Sequence, residues 1–233
     1  MSRTWSPLRT ATGAVLAAWA GLFWFLLLTG RSPLYLSDRT AWVVPLGAVV
    51  LSVAAAGRLA TARSEATEPL PRRTAWWLGL IVMPVVLVLA LPPAALGSYA
   101  ASRRSAVAAG VVPAQGLSSG PVTLVHVAAA MWSPDARRQL VARAGTSVSF
   151  VGFVSRRAGM PTDEFVITRF LVSCCVADAL SVQVRVVGAP PGRFAQDQWV
   201  RVTGSVYPLG REVLVEASEV EAVPRPDRPY LNV

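Results

Sequence analysis

The sequence predicts an α+β membrane protein, in which three N-terminal transmembrane helices precede a small all-β, OB-like barrel of five strands. Only 15% of its 233 residues are charged, whereas a soluble domain of this size usually has about a quarter. Long uncharged runs are confined to the N-terminal part, and β-branched runs separated by turn signals follow later in the chain. The predicted parts are a membrane domain, a linker and a barrel domain, at residues 1–102, 103–130 and 131–233.

Three uncharged segments predict the membrane spans, at about residues 10–30, 40–57 and 75–97. The first has 21 residues between Arg9 and Arg31, enough for a helix to cross a hydrocarbon core of roughly 30 Å. No A-x-A-like cleavage site comes before Arg31, which argues against a removed signal peptide. We expect Pro45 to kink the second span and Pro92 and Pro93 to mark the far end of the third.

Arginines near the spans predict the orientation of the chain in a plasma or inner membrane. Six lie on the side of the N-terminus and four on the other side, so the positive-inside rule favours a cytoplasmic N-terminus and an extracytoplasmic C-terminal domain. The predicted spans contain no Asp, Glu, Lys, Arg or His, which transporters of ions or protons usually place there. We therefore expect a multi-pass subunit or anchor in the lipid bilayer rather than a complete pore.

Five runs with strand chemistry predict the barrel, at residues 147–154, 164–173, 180–188, 199–207 and 212–223. Gly152 and Gly204 interrupt two of these runs, as expected where a small barrel bends or bulges, and a further bend is expected near Ala217 and Ser218. The segment "GAPPGRFAQDQ" (188–198) lies where an OB-fold would have its helix, and it is typical of a loop. A short helix capped by Ser133 is expected before the first strand. A β-sandwich is the main alternative to the barrel.

Several short motifs resemble an uncharacterised bacterial family. They are "GFV" (152–154), "ITRFLVSCCVADA" (167–179), "WVRVTGSV" (199–206) and "PDRPYL" (226–231). Members of this family are described as subunits of a two-component membrane permease complex, with N-terminal membrane helices and an OB-like C-terminal domain. The resemblance implies a separate multi-span permease as the partner. It supplies no established ligand residues, and it includes Arg169 and Phe170 only as parts of the motif.

The two cysteines of the chain are adjacent, at Cys174 and Cys175, and Asp178 follows them. Neighbouring side chains of a continuous strand point to opposite faces, so both thiols can bind one ion only if the strand ends or bulges there. Three interpretations stay open: packing as small hydrophobes, a thiophilic metal or metalloid ligand set, or redox chemistry. We expect Asp178 to bind backbone amides or to pair with Arg169. His126, the only histidine, is a weaker candidate ligand and is expected in a loop.

These observations favour an accessory permease subunit and predict no enzyme, since the sequence contains no Ser-His-Asp motif, H-E-x-x-H, P-loop or G-x-G-x-x-G. No cofactor is predicted beyond a thiophilic metal ion at the cysteines. The first alternative is a membrane-tethered module that binds a metal or metalloid or acts in redox chemistry. The second is a tethered OB module for nucleic acid, which we do not expect because the phenylalanines of the barrel lie in apolar runs rather than among basic residues.

Overall fold

The computed structural model describes residues 4–64, 68–91, 95–103, 120–210 and 212–232. The chain divides into two compact units, Met1–Ala94 and Ala95–Val233, whereas the sequence placed the end of the membrane domain near residue 102. Pro92, Pro93 and most of the predicted linker lie outside the described residues.

The first unit contains three long helices, α1 (Pro7–Leu28), α2 (Val43–Ala60) and α3 (Arg72–Ala90). All three are long and apolar enough to cross a membrane. A small apolar cluster, which includes Leu22, Leu26, Val44 and Val85, joins them. Two short strands, β1 (Thr4–Trp5) and β2 (Arg63–Ser64), pair antiparallel beside the helix ends.

Pro45 does not have the role expected of it. The second helix begins at Val43 rather than at residue 40, so Pro45 occupies its first turn. Amide groups of the first turn have no intrahelical acceptor, and a proline there removes no hydrogen bond. Another proline, Pro84, lies inside α3.

The second unit begins with three short helices, α4 (Ser98–Arg103), α5 (Leu124–Trp132) and α6 (Pro134–Val141). Ser133 caps α6 as predicted, because its Oγ accepts a hydrogen bond from the amide of Ala136 at 3.2 Å. Helix α5 occupies part of the predicted linker, and four of its five buried residues belong to the main core of the unit. The predicted linker therefore ends before Leu124.

Five strands form a closed barrel, β3 (Ser147–Ser155), β4 (Phe165–Val172), β5 (Leu180–Val187), β6 (Trp199–Leu209) and β7 (Glu212–Ala222). The sheet order is β3-β6-β7-β5-β4, and pairing of β3 with β4 closes it. All pairs between barrel strands are antiparallel except β5 with β7. A short strand, β8 (Leu231–Asn232), runs parallel to the end of β4.

The alternating patterns of the strands correspond to the inside and outside of the barrel. Val182, Val184 and Val186 are buried in the core, while Arg185 between them is exposed. The core is completed by side chains of α5 and α6, such as Val127 and Leu140. Segment 188–198 contains no helix, as expected.

Both glycines that the sequence singled out lie where backbones approach closely. A Cβ on Gly152 would lie 2.6 Å from the carbonyl oxygen of Thr168 in the neighbouring strand. Gly204 lies at a β-bulge, where the register shifts so that Ser218 has no partner opposite it. Such a bulge increases the local twist that a small closed barrel needs.

Candidate functional site

The cysteines lie just after the end of a strand, which is the condition for both to contact one ion. Strand β4 ends at Val172, and a single turn of 3₁₀ helix covers Val176–Asp178 before β5 begins. The backbone at Cys175 is extended, and the chain turns directly after it. The alternation of a continuous strand therefore does not separate the two thiols.

Asp178 organises this turn through its carboxylate, which binds backbone amides, the first of the two roles expected of it. Its Oδ1 accepts a hydrogen bond from the amide of Ser173 at 3.0 Å. Its Oδ2 accepts from the amides of Cys174 at 2.7 Å and Cys175 at 3.3 Å. Three backbone donors converge on one side chain, and this brings the carboxylate next to both cysteines.

The sulfur atoms of Cys174 and Cys175 are 3.7 Å apart. They are not joined in a disulfide, which would need about 2.05 Å. The ligand atoms of the two cysteines and Asp178 all lie within 4.8 Å of one another, and no other such group of three occurs among the described residues. Cys174 is exposed and Cys175 half-buried, so packing as a small hydrophobe does not account for Cys174.

The electrostatics of the site favour a positive charge. A hydrogen bond with Asp178, followed by one with Cys175, raises the pKa of the Cys174 thiol to about 11. Partial burial would raise the pKa of Asp178, but hydrogen bonds from the Cys174 thiol and from three backbone amides outweigh it and lower that pKa. Asp178 is thus a carboxylate at neutral pH, and its charge holds the proton on Cys174.

Arg169 does not form the expected pair with Asp178. Its guanidinium donates to the carbonyl oxygens of Pro229 at 3.1 Å and Arg228 at 2.8 Å. Its charged end also lies over the ring of Trp199, 5.8 Å from the centroid, and burial lowers its pKa. Arg169 therefore holds the C-terminal segment against the barrel, which is a structural role.

Phe170, the other residue of the motif, is buried beside the turn. Its ring stacks on that of Phe153 with centroids 5.9 Å apart. The same apolar cluster contains Ala179 and Tyr230, and Val176 packs against it. The motif thus contains both the exposed cysteine site and a side chain, Phe170, that belongs to a second, smaller apolar cluster of the domain.

The barrel region of the chain is similar to a known family of domains. Residues 135–232 match the DUF1980 C-terminal domain. The match begins in α6 and ends in β8, and it includes all five barrel strands and the turn that contains Cys174 and Cys175. No curated protein matches the chain. The finding supports an uncharacterised family with a C-terminal domain of this kind.

His126 is placed apart from the cysteines and in a helix rather than in a loop. It lies in the first turn of α5, where its Nδ1 accepts a hydrogen bond from the amide of Thr123 at 3.1 Å. Partial burial, and then the charge of Arg143, lower its pKa. It caps a helix and does not belong to the group of ligand atoms around Cys174.

The sequence did not predict a second group of polar residues in the barrel domain. Arg156 and Arg157 directly follow β3, and both line a cavity of about 810 Å³. The sequence contains them as two adjacent arginines at the beginning of a turn, which usually indicates a solvated surface. Residues from distant parts of the chain complete the cavity, so their spacing carries no signal.

Proposed function

We propose that this chain is a membrane-anchored accessory subunit of a two-component permease complex, and that its barrel domain binds a soft metal or metalloid ion through Cys174, Cys175 and Asp178. The observation that carries the proposal is the convergence of two thiols and one carboxylate within 4.8 Å at the surface. We place the barrel domain on the extracytoplasmic side and the N-terminus in the cytoplasm, as the distribution of arginines favours.

The electrostatic properties of the turn support a cation rather than a reactive thiolate. The hydrogen bond with Asp178 is the main cause of the raised pKa of Cys174, about 11, and the charge of that carboxylate adds to it. Both favour a bound cation, and at neutral pH that cation is a proton. A soft metal ion can replace this proton, because thiolates prefer copper(I), zinc or trivalent arsenic-like species. A redox-active cysteine usually has a lowered pKa, which makes the redox alternative less suited to this site despite the short distance between the sulfurs.

The fold of the domain supports an OB-like barrel. The strands close in the order β3-β4-β5-β7-β6, with one parallel pair between β5 and β7, as in the five-stranded Greek-key barrels of this type. Stacking of nucleic-acid bases needs exposed aromatic rings. Phe150, Phe153, Phe165 and Phe170 are instead fully buried, and this opposes the nucleic-acid alternative.

The membrane helices support a role beside other membrane proteins. Only 6% of the residues in the most apolar part of α3 are buried within the chain, so most of its apolar side chains are left for lipid or for helices of a partner. The predicted spans contain no ionisable residue, and three such helices do not provide an ion pathway. A separate multi-span permease would supply that pathway.

Metal binding is tested on the purified full chain in detergent under reducing conditions. We expect Cd²⁺ to bind one ion per chain and to produce an ultraviolet thiolate-to-metal band. Cys174→Ser and Cys175→Ser should each lower the affinity by more than about a hundredfold, because the loss of an outer partner of a ligand already costs 10–100-fold. Asp163→Asn, an exposed aspartate at the other end of β4, is the matched control and should bind as the wild type does. Binding of Cd²⁺ by both serine variants with the affinity of the wild type would refute the site.

The permease partnership is tested separately, by affinity purification of the tagged chain from its native membrane after crosslinking. A multi-span membrane protein is expected to copurify, and it should do so with the serine variants as well. Recovery of the chain alone would refute the partnership and leave the metal site untouched. Labelling of intact cells with a membrane-impermeant maleimide tests the orientation, because Cys174 is exposed and should react from outside.

A further inference from the structure

The barrel domain also contains a polar cavity that shares no residue with the cysteine site. Its volume is about 810 Å³, and its walls come from α4 and α5, from the strands β3, β5 and β7, and from the loops after β3 and before β6. This volume is within the range of sites for small molecules, roughly 300–1,000 Å³. Most of its lining side chains are serine, glutamine or arginine.

A line of hydrogen bonds forms one wall of the cavity. Arg157 donates from Nη2 to Oε1 of Gln183 at 2.7 Å, and Gln183 donates from Nε2 to Oγ of Ser181 at 2.8 Å. The amide of Arg156 donates to Oε1 of Gln196 at 3.0 Å. These groups hold each other in place, so polar contacts to a ligand would need little further ordering.

Another wall is held by a half-buried connection between α4 and the loop before β6. The carboxylate of Asp197 accepts hydrogen bonds from the amide of Ser98 at 2.6 Å and from its hydroxyl at 3.0 Å. Tyr230 accepts a further hydrogen bond from the amide of Leu96 at 3.2 Å. These bonds fix the beginning of α4, whose Tyr99 and Ser102 face the cavity.

The charge within the cavity is positive. Arg156 donates from Nη1 to the carbonyl oxygen of Glu164 at 2.8 Å, and its Nε and Nη2 have no partner among the described residues. Arg157 lies 4.0 Å from the carboxylate of Glu212, and both side chains are more than half exposed, so this pair is weak. The lining therefore contains two guanidinium groups and a single carboxylate.

We propose that this cavity binds a small, hydroxyl-rich organic anion with a phosphate or carboxylate group. The guanidinium groups of Arg156 and Arg157 would hold the oxyanion, since such groups form strong, directed hydrogen bonds with both kinds of anion. The serine and glutamine side chains would bind the hydroxyl groups. This site does not depend on the metal site, and its occupation would not require the cysteines.

Three sugars of the same shape test the proposal by calorimetry on the full chain in detergent: glucose, glucose 6-phosphate and glucuronate. At least one of the two anions should bind at least about tenfold more tightly than glucose, and comparison of the anions tells phosphate from carboxylate recognition. The preferred anion should also bind more tightly than inorganic phosphate or acetate alone. Binding of neither anion above the level of glucose would overturn the proposal.

Variants locate the binding within the chain. Arg157→Gln should weaken binding of the preferred anion by about 10–100-fold, the usual effect of losing a charged hydrogen bond. Arg156→Lys keeps the charge and should have a smaller effect, and it guards against misfolding of the loop that Arg156 supports. Arg225→Gln, which removes an exposed arginine outside the cavity, is the control. Cys175→Ser should bind the anion normally, and wild-type binding by Arg157→Gln would refute this site.

Discussion

Replacement of Asp178 by asparagine should change the chemistry of Cys174 in two opposite ways. The carboxylate is the first cause of the raised pKa of that thiol, about 11 instead of 9.0. Asparagine has nearly the same shape and can still accept an amide hydrogen bond, but it has no charge. The thiol should therefore lose its proton more easily, while the turn loses its preference for a cation.

The size of the first effect follows from the pKa. Complete return of the pKa from about 11 to 9.0 would increase the thiolate fraction at neutral pH about 100-fold. This is an upper limit, because the hydrogen bond with Cys175 also raises the pKa. A less basic thiolate is also a weaker nucleophile, and with a Brønsted coefficient of roughly 0.4–0.5 this loss is about eightfold. Alkylation of Cys174 should thus become up to about tenfold faster. Affinity for Cd²⁺ should fall in the same variant, because one ligand and one negative charge are removed.

The assay compares rates of maleimide labelling at pH 7 in a Cys175→Ser background, so that only Cys174 reacts. Asp178→Asn and the control Asp163→Asn are measured side by side, and circular dichroism checks that both variants are folded. Asp163 is exposed and should leave the rate unchanged. An unchanged or slower rate in folded Asp178→Asn would show that the carboxylate does not hold the proton on Cys174, and the electrostatic reason for a metal site would fail.

Four further predictions concern the metal site and the barrel. Affinity for Cd²⁺ should rise at least about tenfold per pH unit from pH 6 to 8, because Cys174, with its pKa of about 11, must lose a proton on binding; a pH-independent affinity would contradict its role as a ligand. Gly204→Ala should destabilise the domain by about 3 kcal/mol in denaturant unfolding, since the new Cβ would overlap the carbonyl oxygen of Glu216. Arg169→Ala should increase hydrogen exchange at residues 228–232, which its bonds hold, and unchanged exchange would contradict that role. Asp197→Ala should expose the amides of α4 to exchange, whereas Asp197→Asn should do so less, because asparagine tolerates the positive φ of 64°.

Much of the architecture was predictable because it depends on local patterns. Three long uncharged runs predict helices apolar enough to span a membrane, and their length and composition are confirmed. The alternation of valines with polar residues in β5 predicts a strand with one buried face, and Val182, Val184 and Val186 are buried. The bulge opposite Gly204 was also predictable, since a glycine within a strand usually marks such a site.

Only the tertiary structure decided the surroundings of the functional residues. Sequence spacing placed Asp178 near Cys174 and Cys175, but it left open whether that carboxylate binds backbone amides or Arg169. Arg169 instead bonds to carbonyl oxygens about 60 positions later in the chain. The cavity likewise combines two helices, three strands and two loops that are far apart in sequence. Periodicity records which face of an element is buried, whereas contacts between elements depend on how the barrel closes and on where each loop returns to it.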